Sequence, residues 1–237
     1  MISLLRRTLL PFVTAVALAA ASASAQTISL PENDSPTFGF GKGNATTTFG
    51  QTFTTPTGFN FLQSFSFWLS DDVGLGATNP GNLLFQAYVM QWDGANGYAT
   101  GPVLYTSSIQ TGPTALSQRY TFAATNTAVS ANTQYVAFVS ASSQLSNILG
   151  TDASAVLESS LLGTYTGGQF VYTNNGGDFG ALSMSPWEFT GFPEYQTHFE
   201  ATFSNAAVSL VPEPSSLVLL AGGLVTVMLL TLKRKRV

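Results

Sequence analysis

The sequence predicts an all-β fold, an antiparallel two-sheet sandwich that is jelly-roll-like, set between an N-terminal signal peptide and one C-terminal transmembrane helix. Three observations carry the β reading. Runs of β-branched and aromatic residues alternate with period two, clusters of Gly, Pro, Asn and Asp separate them, and helical periodicity is nearly absent from the middle of the chain. In order, the runs are TTTFGQTFT at 46–54, FLQSFSFWLS at 61–70, LLFQAYVMQW at 83–92, QYVAFVSA at 134–141 and HFEATFS at 198–204. In the second, Phe61, Gln63, Phe65, Phe67 and Leu69 fall on one face and Leu62, Ser64, Ser66, Trp68 and Ser70 on the other, so one face is expected to be buried. Turns are expected at Thr55-Pro56-Thr57-Gly58, Asn79-Pro80-Gly81, Asp93-Gly94, Thr111-Gly112-Pro113 and Asn174-Asn175-Gly176-Gly177. One stretch breaks the pattern: from Asp152 to Leu162, the spacing of Ala155, Val156, Ser159 and Leu162 suits one short helix. Strand number and spacing favour two packed sheets over a propeller, and no internal repeat divides the body. The expected layout is a signal peptide at 1–25, a β-sandwich domain at 26–207 and a C-terminal signal with its membrane helix at 208–237.

Composition narrows the function. Of 237 residues 45% are hydrophobic and only 8% charged, against about 25% charged in an ordinary soluble domain. Six of the eight cations sit at the two ends, so residues 26–211 hold Lys42 and Arg119 against eleven carboxylates, a net charge of −9. Nucleic acid is excluded as a partner, because phosphate contacts need a basic face. There is no Cys, which removes disulfides, thiolate metal sites and Cys nucleophiles, and the single His198 disfavours a His-based triad.

The two ends read as membrane-directed. Arg6 and Arg7 precede an apolar stretch from Leu9 to Ala21, and Ala21-Ser-Ala-Ser-Ala25 supplies small residues for signal peptidase, with the cut expected after Ala25 and export through the general secretory translocon. At the other end Pro212-Glu213-Pro214 precedes 16 uncharged residues from Leu217 to Leu232 and the cations Lys233 to Arg236. At 1.5 Å per residue the run makes roughly 24 Å of helix, which Ser215, Ser216 and a snorkelling Lys233 extend towards the roughly 30 Å hydrocarbon core. The cationic tail stays cytoplasmic, so the body lies outside the inner membrane. Pro212 and Pro214 lack backbone N–H groups and keep the knuckle extended and accessible to a processing enzyme.

Pro212-Glu213-Pro214, the apolar segment with its Gly222-Gly223 pair and the basic end resemble the PEP-CTERM sorting signal in all three parts and in their order. The resemblance implies that an exosortase, a membrane-embedded transpeptidase-like enzyme, recognises the tail and cleaves close to the Pro-Glu-Pro motif. It further implies delivery of the body to the surface or extracellular matrix of an exopolysaccharide-making bacterium. The body is similar to uncharacterised surface domains that precede such tails, on FGQTFTTP at 49–56, SFSFWLS at 64–70, Phe85 to Asp93-Gly94, Gly101-Pro102-Val103-Leu104-Tyr105 and YVAFVS at 135–140. That likeness implies a fold and a setting and no site.

Within the body the candidate sites rest on chemistry. Asp93-Gly-Ala-Asn-Gly97 carries oxygen ligands as a Ca²⁺ loop does, but Asp-Gly is also a hairpin turn, and the turn is the reading adopted. Asp71-Asp72 is the other weak calcium candidate; no cofactor is expected. His198 and Glu200 share one face of a strand, without an evident nucleophile. Glu188, Glu194 and Glu200 lie near Trp187, Phe189, Phe192 and Tyr195, the ingredients of a sugar groove with acid groups beside it. The expected function is therefore a non-catalytic surface or matrix component associated with exopolysaccharide and biofilm, not an enzyme. The alternative is a carbohydrate-binding module that stacks sugars on Trp92, Tyr98, Trp187 and Tyr195, and a secreted glycoside hydrolase ranks third.

Overall fold

The computed structural model describes residues 24–31, 38–43, 45–160, 165–188 and 195–207, together with Gly223. The expectations for residues 1–23, for Pro212-Glu213-Pro214 and for the helix that follows lie outside the described residues, among which no helix is long and apolar enough to cross a membrane. The described chain forms fifteen strands and four 3₁₀ turns. In order these are β1 (Ala25–Leu30), β2 (Phe38–Lys42), β3 (Thr48–Thr54), β4 (Phe61–Ser70), β5 (Leu84–Asp93), β6 (Tyr98–Thr106), β7 (Gln110–Thr111) and β8 (Gln118–Phe122). There follow β9 (Thr127–Ala128), β10 (Gln134–Ser140), β11 (Ala153–Leu157), β12 (Ser159–Ser160), β13 (Phe170–Thr173), β14 (Gln196–Thr197) and β15 (Phe199–Ser204). Each of the five predicted runs is a strand, shifted by at most two residues at an end.

Named strands pair antiparallel throughout, in two main sheets. The first runs β1-β15-β4-β11-β2, with β8 and β9 also on β4; the second runs β13-β3-β10-β5-β6, with β7 on β5. Phe67 pairs with both Phe199 and Tyr120, and Leu69 with both Leu157 and Gln118, so β15 and then β11 line one side of β4 while β9 and β8 line the other. The sheets meet through aromatic rings: Phe53 of the second packs on Phe199 and Phe203 of the first at 6.0 and 5.6 Å, and Phe85 on Phe40 and Tyr120 at 5.5 and 5.2 Å. This arrangement fits a β-sandwich, with period-two alternation from each sheet filling the space between.

Two local expectations are corrected. The short helix expected within Asp152 to Leu162 is instead the strands β11 and β12, in which every residue is buried. Ala153, Ala155 and Leu157 face the core while the backbone pairs with β2 and β4, so the apolar run marks a covered strand rather than a helical stripe. In β4, Thr202 pairs with Ser64 but Phe203 pairs with Leu62, leaving Gln63 as an extra residue. That bulge reverses the alternation, so Leu62 points into the core with Phe65, Phe67 and Leu69 instead of lying on the opposite face.

The outer faces of the two sheets differ. On the second, Tyr88, Met90 and Trp92 of β5 and Val136 and Phe138 of β10 form a second apolar cluster, closed over by Phe179, Leu182 and Trp187 from the segment after β13. On the first, the outward positions of β4, β8 and β15 carry Ser66, Trp68, Arg119, Thr121 and Glu200, of which Arg119 and Thr121 are exposed and Trp68 and Glu200 half-buried. At one end of that sheet the chain both enters and leaves: β1 pairs with β15 from Ala25↔Ser204 to Leu30↔Phe199, and the Ser24 amide donates to Asn205 Oδ1 at 2.9 Å.

Candidate functional site

Three adjacent strands set the site on this open face. Register places Trp68 beside Arg119 of β8, and Ser66 between Thr121 of β8 and Glu200 of β15. His198, one residue before β15, lies on the other side of Trp68 with its ring stacked on the indole, centroids 3.7 Å apart and planes 6° apart. The Arg119 guanidinium carbon sits 4.8 Å from the indole centre, a cation–π contact. Arg119 Nε donates to Ser66 Oγ at 3.2 Å, its Nη2 forms an ion pair with Glu200 Oε2, and the Ser66 and Thr121 hydroxyls lie 3.0 Å apart.

Behind this row sits Glu158, its side chain only 5% exposed. It follows β11 and is fixed from three directions: its amide donates to the Trp68 carbonyl at 3.1 Å, its carbonyl accepts from the His198 amide at 2.9 Å, and its Oε2 accepts from Ser117 Oγ at 3.0 Å. The same Oε2 lies 3.3 Å from His198 Nδ1. A buried carboxylate must be matched by donors, and two side chains supply them here. Ser117 holds φ at 53°, in the left-handed region that costs a non-glycine residue about 1–2 kcal/mol.

The arrangement can bind polar groups but does not poise a nucleophile. A triad needs a hydroxyl bonded to the imidazole, whereas Ser117 donates to the carboxylate that the imidazole also uses. Trp68 has the imidazole on one side and the guanidinium on the other, so it is not an open platform for a sugar ring.

The residues singled out from sequence fare differently. His198 and Glu200 share the outward face as expected. Trp92 and Trp187 are 7% and 3% exposed and meet edge to face at 5.6 Å, so burial corrects their assignment as stacking platforms. Tyr98 packs at the margin of that same cluster, and Tyr195 is partly buried against the main core. Glu188 accepts from the Tyr172 hydroxyl at 3.0 Å beside β13 of the second sheet, while Glu200 faces outward from the first; these two do not share a groove, and Glu194 is outside the described residues. Burial and the neighbouring Glu188 push the Tyr172 phenol up.

Asp93 Oδ1 accepts from the amides of Ala95 and Asn96, both at 3.1 Å, and Oδ2 from the Asn96 side chain at 2.7 Å, as in a closed hairpin turn. Asp72 Oδ1 accepts from Gly74 N at 2.7 Å and caps a 3₁₀ turn, with Asp71 beside it in sequence. No group of three or more His, Asp or Glu able to hold a metal occurs among the described residues. What sequence reasoning missed is the convergence of Ser117, Arg119 and Glu158 on Trp68 and His198. The only signal was that Arg119 is one of two cations in the body, the other, Lys42, donating to the Ile148 carbonyl at 2.9 Å.

No protein-family profile and no curated protein matches the chain. Among solved structures it is similar to the clostridial cysteine protease Cwp84 after propeptide cleavage, with a TM-score of 0.45 and 10% identity over 77% of this chain and 40% of that one. It is also similar to the cysteine protease and lectin-like domains of Cwp84, a surface layer associated protein of Clostridium difficile, with a TM-score of 0.43 and 12% identity over 73% and 37%. The chain thus spans less than half the length of either of these chains, and it has no cysteine.

Proposed function

We propose that the chain is an exported surface or extracellular-matrix protein, sorted and cleaved by an exosortase, whose body is a non-catalytic structural or adhesive component associated with exopolysaccharide. The observation that carries this reading is the order of Pro212-Glu213-Pro214, the uncharged run Leu217 to Leu232 and the cations Lys233 to Arg236. Signal peptidase and the secretory translocon act at the other end, and the inner membrane holds the protein before processing. A serine that donates to a carboxylate rather than to the imidazole supports a binding or structural role over hydrolysis.

An apolar helix followed by four cations retains the unprocessed form in the membrane, because extraction exposes aliphatic side chains worth about 1.5–3 kcal/mol each. Release must then be covalent. In a host with an exosortase, Glu213→Ala is expected to leave membrane insertion intact and block processing, so that full-length protein accumulates in the membrane while the wild type is released. Fractionation with a tag near Asn175, beside a truncation after Val211, measures this. Equal membrane retention of Glu213→Ala and wild type would leave a plain membrane anchor.

A further inference from the structure

We propose that the outer face of β8, β4 and β15 around Trp68 binds a neutral glycan chain. The inference deepens the exopolysaccharide reading by naming the site and the chemical class. A sugar presents neighbouring hydroxyls that each donate and accept, and the complementary protein surface places donors and acceptors side by side in rigid planar groups. The Arg119–Glu200 pair does this, held in place by the indole of Trp68 and the hydroxyl of Ser66, with the Thr121 hydroxyl next to it. Side-chain exposures of 48% for Arg119 and 30% for Glu200 leave both groups able to meet a ligand. Neither costs a large ordering penalty on binding, since both are already fixed.

Charge decides against a polyanion. The single guanidinium is matched by Glu200, Glu158 stands behind it, and the body carries eleven carboxylates against two cations, so uronate or phosphate-bearing chains are repelled. The outward row Arg119, Trp68, Ser66, Thr121 and Glu200 contains one apolar side chain, already flanked on both sides, whereas a protein partner needs an apolar centre. At about 4.8 Å between strands the row across β8, β4 and β15 spans roughly 10 Å, the length of a disaccharide unit of a longer chain.

The test uses full-length protein in a zwitterionic detergent without a sugar headgroup. Trp92 and Trp187 are buried, so a change in tryptophan fluorescence on titration reports on Trp68. Probes are hexasaccharides of β-1,4-glucan, β-1,3-glucan, α-1,6-glucan and mannan, with a polyuronate hexamer as the charged comparison. A saturable change is expected with at least one neutral probe and none with the polyuronate. Arg119→Ala and Glu200→Gln, each checked for an unchanged melting temperature, are expected to weaken binding about tenfold or more, with Arg119→Lys intermediate. Absence of saturable binding to all four neutral probes by both fluorescence and calorimetry overturns the proposal. So does tighter binding of the polyuronate, or unchanged affinity in Arg119→Ala. Because this assay does not involve processing, its failure leaves the Glu213→Ala result untouched, and failure of sorting leaves the binding result standing.

Discussion

Gln51 sits where alternation calls for an apolar side chain, between Phe49 and Phe53 on the inner side of β3. Its amide ties β3 to β14: Oε1 accepts from the Thr197 amide at 3.0 Å and from Thr197 Oγ1 at 3.2 Å, and Nε2 donates to the Thr52 carbonyl at 3.1 Å. Gln51→Leu keeps the volume but leaves the fully buried Thr197 amide without its acceptor, which is expected to cost about 1–3 kcal/mol, read as a lower urea midpoint. An unchanged midpoint contradicts that accounting. Asp93 makes a prediction of opposite visibility, because it stands at the surface. Hydrogen bonds from the Asn96 side chain and then from the Asn96 amide lower its carboxyl below the ordinary 3.8, the Ala95 amide adding to them. A lowered folded-state pKa gives stabilisation that is present above the unfolded value and disappears as pH falls through the folded one. Titration by NMR is expected to place Asp93 below an unstructured aspartate, and Asp93→Asn to lose part of the stability change between neutral and acid pH.

The segment that crosses the second sheet accounts for much of what alternation left unread. LLFQAYVMQW at 83–92 is nearly continuous in apolar residues, which is what a strand with both faces covered looks like; Phe85, Ala87 and Val89 enter the main core, and Tyr88, Met90 and Trp92 the second cluster. The cover itself comes from Phe179, Leu182 and Trp187, about ninety residues further on, so sequence could show that β5 needs two neighbours but not which residues supply the second. That is why Trp92 and Trp187 read as exposed platforms. Trp187 packs on Phe138 and Trp92 at 5.4 and 5.6 Å and donates Nε1–H to the Leu182 carbonyl at 2.9 Å. Trp187→Ala is expected to cost about 3–5 kcal/mol and to shift the remaining tryptophan emission to the red as Trp92 meets water. The outward cluster was half legible for the same reason. His198 and Glu200 lie two residues apart in one strand and can be read by period, whereas Arg119 and Glu158 reach them only through the pairing of β4 with β8 and β11.

At the scale of the whole molecule, the first strand finds its partner only in the last. β1 contributes one buried core residue, Leu30, and its ladder is with β15 alone among the described strands. Ala25, the residue before the expected cut, is paired with Ser204, and Ser24 and Asn205 exchange hydrogen bonds beyond it, so the proposed cleavage peptide belongs to the folded sheet. A protease needs that peptide free and extended. Precursor refolded in detergent is therefore expected to be cut by signal peptidase more slowly than precursor diluted from urea directly into the enzyme, followed by the appearance of a chain beginning at Gln26; equal rates contradict it. Under the export proposed above, the same pairing would act as a clock. At roughly 5–20 residues per second, the ribosome needs on the order of 10 to 30 s to pass from Leu30 to Phe199. Throughout that interval the leading strand lacks its ladder partner, and the arrival of the closing strand would set the deadline for the proposed cut after Ala25.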